Sequence, residues 1–64
     1  MRVTDIASDT THPDSWVVTF DDGAVAYCWG DQQHGYYGKV AKNGKHYAVS
    51  ARRDHLIREA FAAK

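Results

Sequence analysis

The sequence predicts an α+β fold: a small antiparallel sheet of four or five strands from two hairpins, with one C-terminal helix packed on it. Three observations predict it. Two runs rich in aromatic and β-branched residues, 16–20 and 24–29, flank Asp21-Asp22-Gly23, which is a hairpin pattern. A second pair of runs flanks Asn43-Gly44, the strongest two-residue turn signal. Beyond Ser50, the residues Leu56, Ile57, Ala60 and Phe61 recur at helical spacing and make a narrow apolar stripe.

Taken in order, residues 2–7 start a short strand whose large apolar side chains are Val3 and Ile6. Residues 8–15, with Asp9, Thr10, Thr11, Pro13 and Asp14, are turn formers and read as a loop. Read as a two-residue turn, Asp22-Gly23 sets Phe20 opposite Val25, Val18 opposite Tyr27 and Trp16 opposite Trp29. That register gathers all six large side chains on one face. A three-residue loop with a Gly bulge instead sets Phe20 opposite Ala24 and scatters the aromatics over both faces. Register follows the apolar pattern, so the first arrangement is expected.

Residues 30–35 read as a polar loop. Around Asn43-Gly44, Val40 then pairs with Tyr47 and Lys42 with Lys45, while Gly38 falls opposite Val49. Tyr36, Val40, Tyr47 and Val49 share one face; Tyr37, Lys39, Ala41, His46 and Ala48 share the other. Ser50 is the expected N-cap of a helix over residues 51–63. Asp54 with Arg58, and His55 with Glu59, stand four apart on its outer side and support it weakly. Arg52 and Arg53 lie in its first turn, where positive charge opposes the helix dipole. Two readings account for them. Either they bind a partner, or Arg53 lies over the core and pairs with a carboxylate from the first half of the chain.

The 64 residues carry eight basic and eight acidic side chains and no formal net charge. The total hides a division. Residues 1–32 hold Arg2 against six aspartates, whereas residues 33–64 hold seven bases against Asp54 and Glu59. Such asymmetry points to a charged partner or to two halves that neutralise each other. The length allows one domain, residues 1–64, with a thin core, because a chain this short buries only about 60% of its unfolded surface.

Several classes of function fall away. A single cysteine, Cys28, closes no intrachain disulfide. No apolar run approaches a membrane span and no signal peptide is apparent, so no membrane association is expected and the chain reads as cytoplasmic. The four histidines lack the paired spacing of a zinc site; only Asp9, His12 and Asp14 could converge locally. Cys28 lies mid-strand and behaves as a small hydrophobe rather than a nucleophile. The glycines sit at turns and form no phosphate loop. The sequence therefore implies no enzyme, no cofactor and no metal.

What remains is a binding module. Tyr36 and Tyr37, between Gly35 and Gly38, are candidates for exposed contacts, unless Tyr36 starts a strand and packs inward. With Lys39, Lys42, Lys45, His46, Arg52 and Arg53 they make the expected partner-binding set. Neutral total charge and abundant Trp and Tyr favour a protein partner, with the chain acting as an inhibitor, adaptor or regulator in the style of bacterial or phage accessory proteins. The second reading is a nucleic-acid-binding domain that uses the basic second hairpin and the helix. Open hairpin edges also allow a homodimer.

Overall fold

The structure, a computed structural model, describes residues 1–63. Five strands follow one another across a single antiparallel sheet: β1 (Val3–Ser8), β2 (Ser15–Phe20), β3 (Val25–Asp31), β4 (Gly35–Lys42) and β5 (Lys45–Ala48). Helix α1 (Ala51–Ala62) follows and packs on one face. The expected α+β class is therefore the observed one, with five strands, the upper of the two expected numbers. The helix is shorter by one residue than expected, and the 30–35 loop contracts because β3 and β4 pair as far as Asp31 and Gly35.

Helix α1 lies against both β4 and β1, which β2 and β3 separate within the sheet. The sheet therefore curls, and the helix fills its concave side. Val18, Phe20, Ala24, Ala26, Cys28, Tyr36, Val40 and Ile57 are buried there, with Trp16, Leu56 and Phe61 packed against them. Phe61 stacks on Tyr36 with ring centres 4.9 Å apart and meets the edge of Trp16 at 5.0 Å. Such aromatic pairs add about 0.5–1.5 kcal/mol each beyond the area they bury.

The β4–β5 hairpin has the expected register, with Val40 facing Tyr47 and Lys42 facing Lys45. Asn43 and Gly44 at its turn both take positive φ, as a type I′ turn requires. The β2–β3 hairpin departs from expectation by one residue. Val18 faces Ala26, Trp16 faces Cys28, and Trp29 faces Ser15. The Phe20 N–H donates to the Ala24 carbonyl at 2.9 Å, and the Gly23 N–H to the Phe20 carbonyl at 3.3 Å. The loop is thus three residues long, closed by Gly23 at φ +88° and fastened by the Ala24 N–H donating to Asp22 Oδ1 at 3.1 Å.

A one-residue slip exchanges the faces of a strand relative to its neighbour. Ala24, Ala26 and Cys28 turn inward, while Val25, Tyr27 and Trp29 turn outward. The curl explains the choice. Its concave side crowds the central strand, where only small side chains fit under the helix; the convex side has room for large ones.

Two polar clamps hold the helix. At its start, Ser50 caps it by accepting the Arg53 N–H at 3.2 Å. Arg53 then reaches over the Phe20 ring, 4.7 Å from its centre, to donate from Nη2 to Asp22 Oδ2 at 3.0 Å. At the next residue, Asp54 Oδ1 accepts the Tyr36 backbone N–H at 2.6 Å and its carboxylate pairs with Arg58. Gly35, at φ +91°, leaves the space that this pair occupies, since a Cβ there would meet the Arg58 guanidinium and the Asp54 carboxylate.

Candidate functional site

The convex face carries what the helix does not cover. Pairing across the strands sets Trp29 beside Tyr37, Tyr27 between Val17 and Lys39, and Val25 between Thr19 and Ala41, with His46 beyond on β5. Trp29 and Tyr37 meet edge to face, with ring centres 5.0 Å apart. They are 42% and 56% exposed, and Tyr27 is 48% exposed. Three aromatic rings thus stand together in solvent on paired strands, a costly arrangement for a surface with nothing to bind. The site is formed by strand alternation alone: each ring is one residue away from a small inward partner, Ala26, Cys28 or Gly38.

The expected partner-binding residues divide. Tyr37, Lys39 and His46 come together on this convex face and are exposed. Tyr36 does not join them: it is buried against Phe61 and starts β4 facing inward. Arg53 is likewise a core-covering residue, held by Asp22 and Phe20. Lys42 shares the same carboxylate, with Nζ 3.2 Å from Asp22 Oδ2. Lys45 and Arg52 are exposed on the other side of the hairpin turn and on the helix. Tyr27 and Trp29, which complete the aromatic cluster, lie on the face opposite Phe20 and Val18, whereas the expected register puts all of them on one face. The signal that could have placed them is the alternation of small and large residues from Ala24 to Trp29, which suits a three-residue loop and a curled sheet.

The charge division of the sequence becomes spatial because the strands follow chain order. The acidic half forms β1, β2 and β3; the basic half forms β4, β5 and α1. Asp22 is where the two meet. Hydrogen bonding to Arg53, with further help from the Ala24 N–H and Lys42, holds its carboxyl far below the usual carboxylate range. Asp9 and Asp31 are lowered by local bonds, from Thr11 and from His34 respectively. Burial, with the nearby Asp54 charge, pushes the Cys28 thiol up to about 11. A thiol in that state is a poor nucleophile near neutral pH.

Among the described residues no three His, Cys, Asp or Glu side chains gather closely enough to hold a metal ion. No helix there is long and apolar enough to cross a membrane. Compared with protein-family models, curated proteins and solved structures, the chain finds no match.

Proposed function

We propose that the protein is a non-catalytic module that binds another protein through the convex face of its sheet, as an inhibitor, adaptor or regulator. The observation that carries this reading is the exposed edge-to-face pair of Trp29 and Tyr37 with Tyr27 beside it. Tyr and Trp concentrate at the centres of protein interfaces, where charged residues are scarce. Here the centre is aromatic, and Lys39, Thr19 and His46 form a polar rim. The rings stand on paired strands, so little conformational freedom is lost on binding. A free, buried Cys28 suits a reducing compartment such as the cytoplasm.

The test uses the protein as bait in extracts of the cells that encode it, beside a Trp29→Ser/Tyr37→Ser variant whose fold is checked by circular dichroism. A partner retained by the parent and lost by the folded variant supports the reading. A partner retained equally by both overturns it.

Nucleic acid is the second reading, favoured by one feature: Lys39 stands next to Tyr27 on the same open face, and a cation among aromatic rings can hold single strands by stacking. Titration with single-stranded DNA and RNA across a salt series decides it. Affinity that falls steeply with salt identifies phosphate contacts.

A further inference from the structure

The far edge of the sheet has features that the convex aromatic face does not use. β5 is the last strand and has no neighbour beyond it. Its register fixes which backbone groups are free. The Val49 N–H donates to the Gly38 carbonyl at 3.2 Å, and the Lys45–Lys42 and Tyr47–Val40 pairs have the same parity. In an antiparallel ladder, hydrogen-bonded pairs alternate with pairs whose amides point away. Lys45, Tyr47 and Val49 therefore bond to β4, while His46 and Ala48 direct their N–H and C=O groups outward.

Beside this edge, next to the start of the helix, lies an open groove of about 450 Å³ lined by Lys42, Asn43, Tyr47, Ala48, Ser50 and Arg53. The Tyr47 ring is 53% exposed there. The segment that carries the edge is basic in sequence. No Asp or Glu occurs between Asp31 and Asp54, a stretch that holds Lys39, Lys42, Lys45, Arg52 and Arg53. Asp22 neutralises Lys42 and Arg53. Among the described residues Lys39, Lys45 and Arg52 have no ion pair.

We propose that the β5 edge binds an extended, acidic segment of another protein by strand addition. The segment's backbone pairs with His46 and Ala48, and alternate side chains enter the groove over Tyr47. Its carboxylates meet Lys45 and Arg52. Charge selects this occupant over a second copy docked edge to edge, because two copies bring together two edges that each carry Lys45 and no carboxylate. The inference is independent of the aromatic face, which lies on the opposite side of the sheet.

The test selects a displayed library of random peptides, about 12 residues long, on the intact protein and measures the recovered peptides by fluorescence anisotropy. The expected peptides alternate carboxylates with β-branched residues. Their affinity falls about tenfold or more against a Lys45→Glu/Arg52→Glu variant. It also falls when one alternate set of peptide amides is N-methylated, but not when the other set is. That asymmetry is specific to strand pairing and is read on the unaltered protein, so it does not depend on the variant folding. A Trp29→Ser/Tyr37→Ser protein keeps the binding, which separates this site from the convex face. The proposal is overturned if no acidic sequence is enriched, or if both N-methylated sets bind alike. Displacement by an oligothymidine of equal charge makes the edge a polyanion site and also overturns it. So does sedimentation of the parent as a dimer that the charge reversal dissociates.

Discussion

Asp22 and Arg53 stand 31 residues apart and meet at 3.0 Å, joining the first hairpin loop to the first turn of the helix. The position of Arg53 is unfavourable for the helix alone, because a cation there opposes the dipole. Its charge is instead answered by Asp22, and its guanidinium covers the ring of Phe20.

The pair makes stability depend on pH in a definite direction. The Asp22 carboxyl is held far below its ordinary value of 3.8 when folded. The group therefore stabilises the fold fully above about pH 4, and that contribution is lost as pH falls through the folded value. Asp22→Asn should lower the melting temperature at pH 7, and the gap from the parent should narrow as acid is added below pH 4. Thermal unfolding of both proteins from pH 7 to pH 2 checks this. A gap of constant size would show that the charge is not responsible.

The two tryptophans should behave oppositely. Trp16→Ala removes a ring that packs on Phe61 and the core, and should cost roughly 3–5 kcal/mol, enough to unfold most of so small a domain. Trp29→Ser alters the exposed face and should cost less than about 1 kcal/mol, the ordinary range for surface positions. Urea titration followed by circular dichroism measures both. Equal losses would mean that the convex aromatics are structural.

Cys28 should resist modification while the protein is folded. Its thiol is buried, and burial pushes it up to about 11, so a thiol-reactive disulfide at pH 8 should react only as fast as the chain opens. Unfolding in guanidinium should release the reaction. Rapid labelling of the native protein would contradict the inward face of β3.

Gly35→Ala should also destabilise. A positive φ at a non-glycine residue costs roughly 1–3 kcal/mol, and here the new Cβ also strikes the Asp54–Arg58 pair that fastens β4 to the helix. Gly44→Ala, at φ +76° with open space around it, should suffer the backbone cost alone. The difference between the two variants in denaturant midpoint isolates the clamp.

The class of fold was legible because it rests on local signals: turn residues at Asn43-Gly44, an N-cap at Ser50 and a helical stripe ending at Phe61. The faces of Tyr36 and Tyr37 also followed from alternation around that reliable turn. What the local signals could not supply was curvature. The apolar area that one hairpin gathers by itself favours a β2–β3 register with Tyr27 and Trp29 on the same face as Phe20. In the folded chain the concave side of β3 must accommodate a helix, so Ala26 and Cys28 take those places. Two of the three rings in the candidate site, Tyr27 and Trp29, reach the convex face only through that curvature. Charge is half legible: a carboxylate from the acidic half is one of two readings of Arg53, and only the fold identifies it as Asp22.

That strand order has a kinetic consequence. Every strand pairs with its neighbour in sequence, so the sheet can assemble through a series of short loop closures, each a microsecond-scale event. The links longest in sequence belong to the helix, among them Arg53 to Asp22 across 31 residues. A topology of this kind has low contact order for a β-rich protein and should fold faster than a sandwich of the same size. Helix docking is then the step at which the last entropy is lost. Substitutions in the two clamps should mainly speed unfolding, whereas changes at Asn43-Gly44 should slow refolding.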